Sequence, residues 1–248
     1  MYKRQDLGSR FKVGLFYESN QVDRTEGRFL DDIIDFNNSD SIIATVYDSV
    51  FDKQDFYGLD ASYHFENKDN DAFPTLGMQL SLQVGYKNNV DTSKGFGYVV
   101  PELGFDYKLI SSGQLVLATN LRGYFNLGDD FEFYQAATLG ANSGLRGYRN
   151  ERFTGKSAFA QSTDVRWNFM NLKTGLLPIS LGVFGGVDYG RVWVDDTLAL
   201  DSTFNKNDWN TSFGGGFFVN MANMMNANIS AFNSNDGLRI AFRLGFGF

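Results

Sequence analysis

The chain has 248 residues and a net charge of −7, with 25 Phe and 27 Gly but only 3 Pro, 1 His and 0 Cys. The absence of cysteine excludes a disulfide framework, a thiolate metal site and a cysteine nucleophile, and a single histidine excludes a metal site built on two imidazoles. The acidic balance argues against a nucleic acid partner, because phosphate binding needs a basic surface. No apolar run reaches the roughly 18 residues of a transmembrane helix.

Apolar residues recur at every second position along most of the chain, a period that predicts β-strands with one apolar and one polar face. The first such run contains Phe11, Val13, Leu15 and Tyr17. In chain order, we predict strands near 8–18, 41–51, 55–66, 75–87, 96–109, 113–126, 131–138, 157–170, 178–194, 208–222, 225–233 and 237–248. The segment 25–36 fits either a strand or a loop.

The last run is the clearest, because Leu238, Ile240, Phe242 and every second residue up to Phe248 are apolar. Soluble strands are usually about 5–6 residues long, whereas a tilted strand that crosses a bilayer needs about 9–11. The predicted strands reach the longer range. We therefore predict an all-β fold, an antiparallel transmembrane β-barrel of about twelve strands with a polar lumen. A soluble β-sandwich could bury the same apolar faces, but it would not need strands of this length.

The predicted connections differ in length. Short turns are predicted at 111–113 and 223–224. The long connections are 19–40, 88–95, 139–156 and 195–207. Short turns at one end and long loops at the other are typical of bacterial outer-membrane barrels.

The long connection 139–156 contains the consecutive residues Leu145, Arg146, Gly147 and Tyr148. This segment resembles the sixth extracellular loop of the BamA/TamA superfamily, also called the bacterial surface antigen family. That loop carries a motif of an aliphatic residue, Arg, Gly and an aromatic residue. The resemblance implies that the long loop folds toward the lumen of the barrel.

Two strand motifs downstream extend the resemblance. Asp164 and Arg166 lie where the family has an acidic residue and an arginine on the next strand. Asp188 and Gly190 match the Asp and the final Gly of its F-x-D-x-G pattern, with Gly186 in place of the Phe. The tail resembles the C-terminal aromatic signal of outer-membrane barrels through Phe242, Phe246 and Phe248. The resemblance covers residues 55–248 well and 8–54 loosely.

The loop motif also has a physical interpretation. Arg146 keeps its charge at any accessible pH, so in a narrow lumen it needs carboxylate partners. Asp164 and Asp188 lie at even positions of strands whose odd positions carry much of the apolar side, so both are expected to face the lumen and pair with Arg146. Gly147 permits a tight turn or a close approach to the wall, and Tyr148 can pack its ring and keep its hydroxyl bonded.

The resemblance implies a barrel in the outer membrane of a Gram-negative bacterium that helps to insert or translocate other proteins. Its partners would be outer-membrane lipid, client outer-membrane or secreted proteins, and the insertion machinery, which would bind the C-terminal strand. The first and last strands would form a seam that opens to template an incoming strand. No cofactor, metal site or catalytic activity is expected.

The domain organisation is predicted as one BamA-like barrel domain over residues 1–248, truncated at the N-terminus and without a POTRA domain. Two alternatives remain open. The barrel could anchor or export an upstream enzyme domain such as a lipase or phosphoesterase, or it could be a simple channel. The loop motif argues against the channel, since a filled lumen conducts poorly.

Overall fold

The computed structural model describes residues 8–23, 51–173, 175, 177–194, 208–222 and 224–245. Within them lie twelve β-strands and a short 3-10 turn at Phe133–Gln135. The strands are β1 (Gly8–Asn20), β2 (Gln54–Lys68), β3 (Gly77–Asn89), β4 (Gly95–Lys108), β5 (Leu115–Leu127), β6 (Ala137–Leu139), β7 (Phe153–Gly155), β8 (Ser157–Lys173), β9 (Pro178–Trp193), β10 (Asn210–Met221), β11 (Met225–Ser234) and β12 (Gly237–Leu244). This part of the chain contains no helix with the length and hydropathy that a membrane crossing requires.

Ten strands form one sheet in the order β1-β2-β3-β4-β5-β8-β9-β10-β11-β12. All neighbours in the sheet are antiparallel, and β6 and β7 pair only with each other, as a small hairpin between β5 and β8. The predicted all-β antiparallel fold is therefore confirmed. β1 and β12 are the two edges of the sheet, and no backbone pairing between described residues joins them.

Two local predictions are wrong. The strand predicted at 131–138 is instead the 3-10 turn and the three-residue strand β6, because Gln135 accepts a hydrogen bond from the backbone of Glu132 and closes a local turn. The long connection predicted at 88–95 is short, since β3 continues to Asn89 and β4 begins at Gly95. The predictions at 25–36 and 195–207, and the strand at 41–51 apart from Phe51, lie outside the described residues.

Side chains on the ten-stranded sheet alternate between an exposed apolar face and a largely buried inner face. Leu15 on β1 is 86% exposed and Phe242 on β12 is 69% exposed, whereas Phe56 and Asp188 on the inner face are at most 1% exposed. Soluble monomers rarely expose apolar patches of more than a few hundred Å², so an outer face of this extent indicates an apolar environment around the sheet. The pattern is typical of a barrel surrounded by lipid.

The connections divide between two ends of the sheet. One end, called the loop end below, is where β1, β3, β5, β9 and β11 end, and it carries the connections 90–94, 128–156 and 235–236. The other, called the turn end, carries 69–76, 109–114, 174–177 and 222–224. In outer-membrane barrels the longer connections typically face the outside of the cell.

Candidate functional site: the lumen loop and its anchors

The connection between β5 and β8, residues 128–156, folds into the interior of the curved sheet and is called the lumen loop. Its hairpin β6–β7 forms the base, and its apolar side chains pack against the inner wall. The buried cluster comprises Ala137, Leu139, Leu145, Tyr148 and Phe153 of the loop with Ala158, Ala160 and Val192 of the wall. Burial of these apolar groups favours the inward position of the loop.

Arg146 is held in this interior by two carboxylates. Its Nε and Nη2 donate to Asp188 Oδ1 at 2.9 and 2.6 Å, and its Nη1 donates to Asp164 Oδ2 at 3.1 Å. The Arg146 backbone N–H also donates to Asp188 Oδ2 at 2.8 Å. The guanidinium carbon lies 4.1 Å from the centre of the Phe232 ring. Burial disfavours the charge, but the two carboxylates raise the pKa of Arg146. Charge-assisted bonds of this kind offset the loss of hydration.

Gly147 brings the loop backbone into contact with the wall. Its N–H donates to Ser212 Oγ at 3.1 Å, and its carbonyl accepts a bond of 2.8 Å from Ser234 Oγ. Ser212 in turn donates to Asp188 at 2.8 Å, so the serine joins the loop to the ion pair. A Cβ on Gly147 would lie 2.6 Å from Ser212 Cβ, which explains why this position is glycine.

Tyr148 is fully buried and links the loop to the last strands. Its hydroxyl donates to the Thr211 carbonyl at 3.2 Å, and its own carbonyl accepts a bond from Arg239 on β12. A second arginine of β12, Arg243, donates to the Ala141 carbonyl at 2.9 Å. The lumen loop is therefore bonded directly to the edge strand β12.

Glycines of β9 provide the space for these contacts. A Cβ on Gly186 would lie 2.0 Å from Asp164 Oδ1 and 2.8 Å from Arg146 Nη2. The glycine that replaces the Phe of the resembled pattern thus leaves room for the ion pair. A Cβ on Gly190 would lie 2.8 Å from the Phe159 carbonyl and 3.0 Å from Leu139 of the loop hairpin.

Arg166 belongs to a different ion pair. It is 1% exposed, and its Nη1 donates to Asp106 Oδ1 of β4 at 3.2 Å. This bond spans β5 and joins β8 to β4, the strand on the other side of β5. The two arginines of the sequence motifs therefore occupy separate places in the interior.

A turn at the opposite end also enters the lumen. Phe73, in the connection between β2 and β3, is buried among Phe184, Phe218 and Phe232, with its ring centre 5.3 Å from that of Phe218. Asp69 holds this turn by accepting bonds from the backbone N–H groups of Thr75 and Leu76 at 2.8 and 3.1 Å. The lumen is thus occupied from the loop end by residues near Arg146 and from the turn end by Phe73.

Sequence reasoning singled out Leu145, Arg146, Gly147, Tyr148, Asp164 and Asp188, and the structure brings all of them together. It missed Ser212, Ser234, Arg239 and Arg243, although the last two are the inward charges of an alternating strand, which was an available signal. Phe242 lies on the outer face of β12, and Phe246 and Phe248 lie outside the described residues.

The site consists of bonds that position the loop and the last strands. No group of three or more His, Asp or Glu side chains suitable for a metal ion occurs among the residues described. The arrangement has the geometry of an anchor, in which Arg146 and the two residues after it fix the loop against five consecutive strands of the wall.

Comparison with known proteins gives a structural relationship only. No protein family model matches the chain, and no curated protein shows a significant sequence match. The fold is similar to the crystal structure of BamA from Haemophilus ducreyi lacking POTRA domains 1–3, with a TM-score of 0.65 and 18% identity. The match covers 95% of this chain and 50% of that one, so the chain spans about half the length of the structure it matches. The fold of this chain is that of a BamA-like β-barrel.

Proposed function

We propose that this chain is the barrel part of a protein in the outer membrane of a Gram-negative bacterium, and that it assists the insertion or translocation of client proteins. The proposal assigns it a structural or transport role without catalysis. The observation that carries it is how β12 is bonded on its two sides. This strand is tied to the lumen loop on its inner face, and no described strand pairs with its free edge.

The free edge of β12 is chemically suited to bind another strand. An edge strand presents unpaired backbone N–H and C=O groups, and in hydrocarbon each unpaired group costs several kcal/mol. A client strand that pairs with this edge would satisfy both sets of groups at once. The outward side chains Leu238, Ile240, Phe242 and Leu244 would continue the apolar face onto the added strand.

The lumen loop would prepare this edge for pairing. Arg239 and Arg243 attach β12 to the loop backbone, and Arg146 attaches the loop to β8 and β9. A strand held in its bound geometry loses less conformational entropy when a partner pairs with it. The filled interior supports this role over a simple channel, because Phe73 and the lumen loop occupy the path that a solute would take.

The same geometry supports a proposal for the partners. The outward apolar face would contact membrane lipid, and the free edge would contact client proteins. We further propose that the C-terminal strand, with Phe242, Phe246 and Phe248, is recognised by the insertion machinery when this chain itself enters the membrane.

Disulfide trapping tests the proposal directly, because the chain contains no cysteine of its own. The test variant is Ile240→Cys on β12, and the control is Val187→Cys on β9. Both residues are β-branched and face outward, but β9 is paired with a strand on each side. The protein is reconstituted in liposomes and offered a urea-unfolded outer-membrane barrel with a single cysteine in its last strand. We expect a cross-link at Ile240→Cys, none at Val187→Cys, and faster client folding than in empty liposomes. Equal cross-linking at both positions, or no acceleration of folding, would contradict the proposal.

A further inference from the structure

The outer face of the sheet carries an unexpected positive charge. Among the outward-facing strand positions that the structure describes, Arg191 near the end of β9 is the one cation. It lies opposite Phe159 in the register of β8 and β9, so its side chain shares the outer face with apolar neighbours. A charged group on a lipid-facing surface is costly unless it reaches the interface or finds a partner.

Aromatic rings surround Arg191. Its guanidinium carbon lies 5.4 Å from the centre of the Trp193 ring and 5.8 Å from that of Trp209. Tyr189 stacks on Trp209 with ring centres 4.3 Å apart, and Phe159 meets Trp209 edge-on at 6.3 Å. These five residues, Phe159, Tyr189, Arg191, Trp193 and Trp209, are called the Arg191 cluster.

Within the part of the chain that the structure describes, the neighbours of the Arg191 guanidinium are aromatic rings. No carboxylate within the described ranges forms an ion pair with it, and its Nε is buried with no hydrogen-bond partner. Cation–π contacts attract the guanidinium but satisfy none of its N–H donors. A planar guanidinium that no described carboxylate neutralises matches the oxygen atoms of a phosphate, which it can bind in a bidentate manner.

The position of the cluster indicates which phosphate is available. Trp193 ends β9 and Trp209 directly precedes β10, so the cluster lies at the loop end of the barrel. Trp and Tyr in membrane proteins concentrate at the level of the lipid head groups. An anion that reaches an outward-facing arginine at this depth is the phosphate of a lipid.

We propose that the Arg191 cluster binds the phosphate of an anionic lipid head group at the loop end of the barrel. This inference rests on the membrane placement proposed above. Trp193 and Trp209 would flank the head group, and Arg191 would donate to its phosphate oxygens. The site would fix the barrel to the lipid beside β8, β9 and β10, on the wall to which the lumen loop is anchored.

Tryptophan quenching by brominated lipid measures this binding. The chain has 3 Trp, and a Trp167→Phe background leaves only the two tryptophans of the cluster. The protein is reconstituted in phosphatidylcholine vesicles that contain a small fraction of brominated phosphatidylglycerol or, in parallel, brominated phosphatidylcholine. We expect the anionic lipid to be preferred about fivefold, the effect of one basic residue near a membrane surface.

The variants separate a specific site from general attraction. We expect the preference to disappear in Arg191→Gln, to be largely restored in Arg191→Lys, and to persist in Arg149→Gln, which removes an exposed charge of the lumen loop. Heat-modifiable migration on SDS gels verifies that each variant is folded. A preference that survives Arg191→Gln, or equal quenching by both lipids, would overturn the lipid site alone. Absence of quenching by either lipid would overturn the membrane placement as well.

Discussion

The strands β8–β12 and the strands β1–β3 follow the same period of two but enclose different interiors. In the first region Arg146 is buried with Asp164 and Asp188, which are 2% and 0% exposed. In the second region Lys87 and Glu18 form an ion pair at 2.6 Å whose side chains remain 17% and 30% exposed. Water competes for the second pair, whereas the first is isolated from it.

This difference shows that the alternating residue pattern of the strands does not by itself determine how the interior between them is packed. The alternation of apolar and polar residues specifies which side faces outward in both regions. The two interiors differ in how far water reaches their ion pairs. A buried ion pair is expensive to break because one charge is left without a partner, while a hydrated pair can be removed at little cost. We therefore expect the largest mutational effects around the lumen loop.

The largest effect is expected from Arg146→Ala. Removal of the guanidinium leaves Asp164 and Asp188 buried without their cation, which we expect to lower the free energy of unfolding by about 3–5 kcal/mol. The temperature at which the folded band disappears on SDS gels would fall accordingly. Arg149→Ala and Arg152→Ala are the matched controls. Arg152 pairs with Asp236 at the surface, where such a bond contributes about 0–1 kcal/mol. Equal losses in all three variants would contradict a special role of the buried pair.

The next effect concerns the link between the two regions. Phe73→Ala removes a buried ring that reaches from the β2–β3 turn to the inner faces of β9, β10 and β11. We expect the free energy of unfolding to fall by about 3 kcal/mol, because a buried aromatic side chain is removed. We also expect a higher conductance in planar bilayers, because the ring no longer fills the turn end of the lumen. Phe213→Ala, at an outward position of β10, is the control and should leave conductance unchanged. A Phe73→Ala barrel as closed as the parent would show that this ring does not seal the lumen.

A smaller effect is expected at the glycines of β9. Gly186→Ala places a methyl group within 2.0 Å of Asp164 Oδ1, so the ion pair must shift, at a cost of about 1–3 kcal/mol. The neighbouring Gly185→Ala faces outward, and its nearest contact would be 3.9 Å away. Urea unfolding of the two variants should therefore give different midpoints. If the midpoints coincide, the space beside Asp164 is less restricted than the structure indicates.

The smallest effect is expected in the second region. Glu18→Gln removes the charge that pairs with Lys87, in an interior where both side chains stay partly hydrated. We expect the free energy of unfolding to fall by less than about 1 kcal/mol, and by still less when salt is added. Urea unfolding at low and high ionic strength would measure both quantities. A loss as large as that of Arg146→Ala would remove the distinction between the two interiors.

The residues of the site that were predicted from the sequence are those that a local residue pattern can identify. The parity of Asp164 and Asp188 on their strands places both on the inner face, and a buried arginine needs carboxylates whatever the fold. The prediction of a strand at 131–138 was wrong because it relied on the same kind of local pattern. Phe131 and Ala136 are apolar because they pack in the interior with Phe96 and Tyr98, so a loop that fills a lumen can imitate the spacing of a strand.

The sequence by itself determined the ten strands of the main sheet, their outward faces and the charges that had to be neutralised inside, because these depend on period and on residue chemistry. Only the tertiary structure decided which distant groups complete the site. Ser212, Ser234, Arg239 and Phe73 meet the loop or the lumen because strand order and register bring them there. Such contacts join residues far apart in the chain, and no local pattern encodes them.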